Sequence, residues 1–402
     1  MAGGESLTFA ELDAAAARAA RRLAAMGVVA GSVVATTLPA GRAFAELLHA
    51  LPRLGAILAP LDARSSVRID ADLRVAAPLE GEERDVELRT TVDLDAVHSV
   101  IHTSGSGGRA KPIMLSYSNH HASALACAER LGSRADDRWL SLLPPFHVAG
   151  LAILIRAAVG AVTAVVHERF EPQAARAALE AGESTLVSLV PTMLARLREL
   201  GFDSAPALRA ILLGGGPIPS ELLEWAAGAG LPVVPVYGMT ETASLVAAGS
   251  PGEAVRGAEL ATSDEGEILV RGPMASRAAL AADGWVHTGD LGRIDDQGRL
   301  HVQGRSKELI VTGGENVSPV EVEDVLLSHP AVGDAAVAGI PDPEWGEAVT
   351  AFVVLRRPAG EQELIEHCRA RLAGFKVPRR IEQVPGLPRS PAGKLLRREI
   401  LP

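Results

Sequence analysis

Lysine is nearly missing: in a chain of 402 residues with 39 basic side chains, only Lys111, Lys307, Lys376 and Lys394 are lysine, and arginine fills the other basic positions. Base is also outnumbered by acid, 49 Asp and Glu against 39 Lys and Arg, for a formal net charge of −10. Without a basic excess there is no electrostatic footprint for coating DNA or RNA, so no nucleic-acid partner is expected. Cysteine occurs only at Cys127 and Cys368, with no C-x-x-C pair and no His/Cys ligand spacing. That excludes a disulfide scaffold and a structural zinc, and predicts two buried free thiols in a reducing compartment. The opening residues, MAGGESLTFAELD, lack the basic and then apolar pattern of a secretory signal, so the expected location is the cytoplasm. The window nearest to a membrane span, Val148 to Val166, carries Arg156 near its centre, where a charge in lipid is costly. A buried helix running into a buried strand is expected there instead, with Arg156 in need of a partner.

The rest of the composition is that of a globular protein, 48% hydrophobic and 22% charged. The length exceeds what one core usually serves, which predicts a large domain plus a smaller one. Up to about residue 305, strand-length apolar runs alternate with helical patterns, the signature of βα units and a largely parallel sheet. Thr8 and Glu11 form a capping-box pattern for a first helix that Gly27 stops; Val33–Leu38 reads as a strand and Arg42–Leu54 as a helix. Strands are also expected at Thr185–Val190, Leu208–Leu213 and Val233–Val236, then in a turn-rich region at Glu267–Val270 and Leu300–Val302. After Arg305 a small α+β unit is expected: a strand at Glu308–Val311, a helix opened by Ser318-Pro319 with Glu321 completing a capping box, strands at Ala335–Gly339 and Thr350–Leu355, and a helix at Glu361–Leu372. The stretch PGLPRSPAGKLLRREI reads as a loop. The fold class is therefore α/β: a large N-terminal domain (1–305) of layered βα units with a short β-rich subregion, and a small α+β C-terminal domain (306–402).

A sequence that writes its solvated cations as arginine keeps lysine where a compact, rotatable ammonium is needed, so the four lysines are candidate functional residues. Lys111 ends the run Thr103-Ser104-Gly105-Ser106-Gly107-Gly108-Arg109-Ala110-Lys111, whose hydroxyls and glycines let backbone N–H groups approach phosphate oxygens while the ammonium neutralises them. It is not a Walker A loop, because the spacing differs and Pro112 follows; the alternative is a glycine-rich surface turn. Gly214-Gly215-Gly216-Pro217 and Tyr237-Gly238-Met239-Thr240-Glu241-Thr242 each end an expected strand, where open α/β sheets place their ligands. Glu241 is there either a Mg²⁺ carboxylate or a solvated cap. In Trp285-Val286-His287-Thr288-Gly289-Asp290-Leu291-Gly292, Asp290 either accepts from a pair of sugar hydroxyls or stabilises a turn, with Gly304-Arg305-Ser306-Lys307 following. The fourth lysine-bearing motif is Pro391-Ala392-Gly393-Lys394.

Taken in order, these motifs resemble the core motifs of the adenylate-forming superfamily of acyl-CoA synthetases, luciferases and peptide-synthetase adenylation domains, over roughly residues 7 to 400. The resemblance implies ATP, Mg²⁺ and the co-substrate CoA, with Lys394, Glu241 and His147 as catalytic residues and Glu241 at the metal. It implies that Thr103, Ser104, Gly105, Ser106, Gly107, Gly108, Lys111, Gly214, Gly215, Gly216, Pro217, Tyr237, Gly238, Met239, Thr240, Asp290 and Arg305 bind ATP and AMP. It implies that His147, Arg156 and Ser244 line the acyl site, and that the small domain swings about Lys307 to withdraw Lys394 and bring Gly313, Gly314 and Glu315 to a CoA channel. Lys376, in Phe375-Lys376-Val377-Pro378, matches a turn of the family. Leu115–Ala124, Pro145–Arg156, Leu212–Pro217 and Tyr237–Ser244 resemble a branch of CoA ligases whose aryl acid carries a second carboxylate. The sequence departs from the family at Gly107, where Thr is usual, at Ala110-Lys111-Pro112, where Pro-Lys-Gly is usual, and between Arg64 and Val97, which is short.

Arg156 is the residue that bears on the acyl substrate, because a guanidinium in an apolar run must be paired, either by a second substrate carboxylate or by an acid of the protein. His147 is either a tunnel residue or a satisfied core histidine. The expected partners are small molecules, a carboxylate with ATP and CoA; a homo-oligomer is compatible with the sequence. Other readings are another aryl- or acyl-CoA ligase, an amino-acid adenylating enzyme, or a nucleotide-binding relic. Phe146 is followed by His147 where amino-acid-activating relatives usually carry an Asp, and the retained Lys394, Glu241 and Asp290 argue against a relic.

Overall fold

The computed structural model describes residues 4–64, 69–104, 110–389 and 395–400. The helices are α1 (Phe9–Ala25), α2 (Arg42–Leu54), α3 (Tyr117–Leu131), α4 (Val148–Gly160), α5 (Pro172–Glu180), α6 (Pro191–Glu199), α7 (Ser220–Gly228), α8 (Pro319–Leu327) and α9 (Glu361–Arg369). The capping box read from Thr8 and Glu11 is made: Thr8 Oγ1 accepts from Glu11 N at 3.2 Å and Glu11 Oε2 accepts from Thr8 N at 2.8 Å. The segment 148–166 is the expected helix and strand, and among the described residues no helix is long and apolar enough to cross a membrane.

A first sheet holds β1 (Val33–Thr36), β2 (Ile57–Pro60), β3 (Leu73–Val75), β4 (Val97–Ser104) and β5 (Ala110–Ser116) in the order β3-β1-β2-β4-β5. A second holds β6 (Arg138–Ser141), β7 (Thr163–Val166), β8 (Leu186–Leu189), β9 (Ala210–Leu213), β10 (Val233–Met239), β11 (Ser244–Ala248) and β12 (Glu253–Ala254) in the order β12-β11-β10-β9-β8-β6-β7. Both are parallel in their middles, and each ends antiparallel, at β4–β5 and at β10–β11–β12. The single largely parallel sheet expected from sequence is thus two sheets, and the ends of the glycine-rich run lie on the antiparallel strands β4 and β5, where Thr103 faces Lys111. The centre of the run, Gly105 to Arg109, lies outside the described residues. The turn-rich region forms an antiparallel sheet of β13 (Glu259–Thr262), β14 (Glu267–Arg271), β15 (Val286–Ile294) and β16 (Leu300–Arg305).

The remaining strands are β17 (Ile310–Thr312), β18 (Glu315–Val317), β19 (Val332–Asp342), β20 (Gly346–Leu355) and β21 (Arg380–Gln383), ordered β18-β17-β20-β19 with β21 added beside β20. Two expectations are corrected here. The strand expected from Glu308 starts at Ile310, because Ser306–Glu308 is a 3₁₀ turn. The capping box at Ser318 is not made; its hydroxyl donates to the carbonyl of Gln303 at 2.7 Å, and Glu321 pairs with Lys376 instead. β21 is a strand the sequence reading did not contain.

Burial follows the sheets. One core packs α1, α2 and α4 on the first sheet, a larger one joins the second and third sheets, and Ile310, Val317, Val322, Val337 and Leu364 belong to a separate core in the last. Both cysteines are free and buried.

Candidate active site

β9 and β10 run parallel, so their carboxyl ends deliver Gly214–Pro217 and Tyr237 side by side. The approach leaves no room for side chains at two glycines. A Cβ on Gly214 would sit 2.6 Å from the Val236 carbonyl oxygen, and one on Gly238 would sit 1.9 Å from that of Ser244. Beyond Met239 the chain makes the 3₁₀ turn Thr240–Thr242, then passes through Ala243 at φ 49° and Ser244 at φ 101°, a left-handed conformation that non-glycine residues adopt at a cost. The Thr242 hydroxyl holds this turn, accepting from Met239 N at 3.1 Å and donating to Ser244 O at 2.9 Å. Glu241 rides on it half-buried, its carbonyl accepting from Ser276 N at 2.7 Å. Ser276 also donates from Oγ to Met114 O at 2.6 Å, so one hydroxyl residue joins the Glu241 turn to β5. Nothing in the sequence pattern marks Ser276.

Asp290 lies on β15 opposite Arg305 on β16. Arg305 Nε is 2.8 Å from Asp290 Oδ1, and the Tyr237 hydroxyl donates to Oδ2 at 2.8 Å. Burial, and then the Asp290 charge, push the Tyr237 hydroxyl far above its ordinary range, so the phenol keeps its proton. Asp290 is buried. Glu267 fixes the loop before it, accepting from Gly289 N at 2.8 Å.

His147 caps α4 with its backbone, half-buried, its ring tilted against Phe146 at 4.6 Å. Burial lowers its pKa and the nearby Asp62 pulls it back up. Gly150 allows this helix start, since a Cβ there would lie 2.2 Å from the Pro144 carbonyl oxygen. Two turns along α4, Arg156 is 6% exposed. Its Nη2 donates to Ser123 Oγ at 3.4 Å, and Ser123 donates onward to the carbonyl of Ala243 at 2.7 Å, directly behind the Glu241 turn. The guanidinium stands 5.6 Å from the centre of the Trp139 ring and its Nε has no partner. Among the described residues no carboxylate pairs with it, which removes the internal ion pair considered from sequence.

The structure therefore brings together Tyr237, Asp290 and Arg305, and links Glu241 and Ser244 to Arg156 through Ser123. Lys307 is exposed in the turn Ser306–Glu308, where Ser306 Oγ donates to Gly289 O at 3.0 Å. Gly313 and Gly314 are exposed between β17 and β18, and so is Glu315, which begins β18. Gly105, Ser106, Gly107, Gly108 and Lys394 lie outside the described residues.

This architecture is that of a known class. The family model described as AMP-binding enzyme matches residues 1–68 and 65–278, and that of the AMP-binding enzyme C-terminal domain matches 321–394. The chain belongs to the AMP-binding enzyme family. Among its relatives is the 2-succinylbenzoate–CoA ligase of Geobacillus kaustophilus, 39% identical over 456 aligned positions that cover 99% of this chain and 93% of that one. The o-succinylbenzoate CoA synthetase of Bacillus subtilis, solved with the acyl-adenylate intermediate, is 33% identical with a TM-score of 0.91, covering 99% of this chain and 94% of that one. Its complex with ATP and magnesium ion gives 33% and 0.89, at 99% and 95% coverage. A double mutant bound to a product analogue gives 34% but only 0.72, at 99% and 94% coverage.

Proposed function

We propose that this protein is an AMP-forming CoA ligase that activates o-succinylbenzoate as an acyl-adenylate and transfers it to CoA, in the cytoplasm, as a step of menaquinone synthesis. The observation that carries the choice of acid is Arg156, a buried guanidinium behind the Glu241 turn that no carboxylate of the described protein pairs with. A second carboxylate on the substrate supplies the missing charge.

A carboxylate is a poor electrophile because its leaving group would be oxide. In the first half-reaction a substrate carboxylate oxygen attacks the α-phosphorus of ATP, the bond to the β-phosphate oxygen breaks, and pyrophosphate leaves. Charge gathers on the phosphoryl oxygens, and catalysis is the placing of positive groups there. Lys111 and the glycine-rich run take the departing phosphates and Lys394 the transition state. Glu241, a single hard carboxylate beside the Thr240 hydroxyl, suits Mg²⁺, an ion that takes one or two carboxylates and fills its other sites with water and phosphate. When bound, Mg²⁺ supplies charge neutralisation at the phosphates. Asp290 accepts from the ribose hydroxyls while Tyr237 and Arg305 hold its two oxygens in place, and Gly214–Pro217 lies along the adenine. In the second half-reaction the CoA thiolate attacks the acyl carbon, the bond to the AMP oxygen breaks, and AMP leaves.

We assign residues 1–305 to the large domain and 306–402 to a small domain that rotates about Lys307 between these steps. Support comes from the two TM-scores of the same Bacillus subtilis protein, 0.91 with the acyl-adenylate and 0.72 with the product analogue. Arg156→Ala tests the substrate assignment. KM for a dicarboxylate is expected to rise far more than for a matching monocarboxylate, since losing a buried charge-assisted pair costs about 2–5 kcal/mol and the monocarboxylate has no such pair to lose. Equal KM changes with a large fall in melting temperature would make Arg156 a structural residue.

A further inference from the structure

The described residues on either side of 390–394 are each held by an arginine. Before that stretch, Arg389 Nη2 is bonded to both oxygens of Asp334, at 2.7 and 2.8 Å. Arg389 and Leu395 form an antiparallel bridge, with Leu396 N donating to Pro388 O at 2.9 Å, so the chain enters and leaves at one place. After it, Arg397 reaches two different elements. Its Nη2 donates to Glu323 Oε2 at 2.9 Å and its Nη1 to Glu323 Oε1, while its Nε donates to Glu308 Oε2 at 2.9 Å. Glu323 projects from α8 and is itself held by Val337 N at 2.7 Å. Glu308 closes the 3₁₀ turn that contains Lys307.

Two carboxyl groups crowd one guanidinium in a site where the Arg397 side chain is only 14% exposed, and burial pushes the Glu323 carboxyl up to about 7. Burying such a group is not an economical way to stabilise a fold, because apolar side chains of the same volume do as well or better. What the fork does give is a fixed direction and distance.

We propose that Arg397 is a positioning residue for adenylation, fixing the residues that follow Lys394 in the chain to the hinge turn through Glu308 and to α8 through Glu323. It rests on the assignment of Lys394 above. Glu308 lies one residue beyond Lys307, so the grip travels with the small domain and sets where the lysine arrives. A lysine ammonium on a four-carbon stem depends on such support, and a misplacement of about 1 Å costs on the order of a hundredfold in rate.

The test uses the full chain, with adenylation followed by o-succinylbenzoate-dependent ATP–pyrophosphate exchange and the second step by CoA thioester formation from supplied acyl-adenylate. Glu308→Gln keeps the size of the side chain and leaves the Glu323 pair intact. It is expected to lower kcat of exchange about tenfold, with KM for ATP, the thioester step and the melting temperature unchanged. Arg397→Lys should cost more, about a hundredfold, because an ammonium cannot span both acids. If Arg397→Lys fails to fold, the double variant Arg397→Met with Glu323→Gln removes the buried charges, keeps an acceptor for Val337 N, and should be stable yet equally slow in exchange. Unchanged exchange in folded Glu308→Gln, or an equal fall in both steps, overturns the proposal. Lys394→Ala is run beside it. If that variant keeps its exchange, the assignment of Lys394 fails and the proposal with it; if it loses exchange while Glu308→Gln does not, the proposal alone fails.

Discussion

Lys394→Ala is expected to abolish acyl-adenylate formation while sparing thioester formation from supplied acyl-adenylate, because the ammonium serves only the transition state that expels pyrophosphate. Lys394→Arg should not restore the first step, since the guanidinium fork places its charge differently. Separate assays of the two half-reactions check this, and equal losses would remove the role. The scarcity of lysine does not by itself mark function: Lys376 gives both of its short bonds to Glu321, at 2.7 and 2.8 Å, an ion pair within the small domain. Arg156 was legible because a charge inside an apolar run has to be answered. Ser123, Ser276 and Trp139, which hold Arg156 and the Glu241 turn in place, were not, because one hydroxyl or indole among many carries no periodic signal. Ser318 shows the opposite case, a local capping pattern overridden by a bond to Gln303 that only the tertiary fold supplies.

α7 begins after Pro219, which has no side-chain oxygen to cap it, and the cap comes instead from α8: Asp324 Oδ1 accepts from Ser220 N at 2.7 Å and Oδ2 from Ser220 Oγ at 2.7 Å. A helix of the large domain is thus capped by the small one. The chain matches its relative's acyl-adenylate complex better than the product-analogue complex, and on the proposed rotation the cap accompanies the first of these arrangements. Removing an N-cap carboxylate costs about 1 kcal/mol, equivalent to roughly a fivefold shift in population. Asp324→Ala is therefore expected to slow adenylation by up to about fivefold and to leave the thioester step unchanged or faster. Parallel falls in both rates would show that the contact does not distinguish the two arrangements. At this level the sequence was informative where signals are local: α2 has the bounds its pattern predicted, and the strands before Gly214 and Tyr237 fall in place. It was silent on β21, a four-residue edge strand with one buried side chain, and on the antiparallel turn of β4 and β5, because pairing is decided by partners distant in the chain.

The α/β class followed from the alternation of patterns along the chain, and the number of sheets did not, since each sheet is closed by long-range registers. The first sheet's core also sets how the molecule meets acid. His98 and His120 are buried edge to face, 4.8 Å apart; burial lowers His98 to about 4 and, with the charges around it, His120 well below its ordinary value. Below about pH 6.5 the unfolded chain binds protons that the folded one refuses, so stability rises with pH between about 4 and 6.5 and falls as acid is added. His98 alone accounts for about 2 kcal/mol lost by pH 5. Urea midpoints at pH 7 and pH 5 should differ less in His98→Gln than in the native chain, and an identical difference would contradict the argument. The claim that most depends on the whole molecule, that it joins o-succinylbenzoate to CoA at the expense of ATP, is tested by AMP formation from ATP and Mg²⁺ with CoA and a panel of carboxylates. The account predicts AMP in step with thioester, fastest for o-succinylbenzoate and slow for benzoate and other monocarboxylates. AMP formation that is absent with every acid, or that is fastest with an acid lacking the second carboxylate, would contradict it.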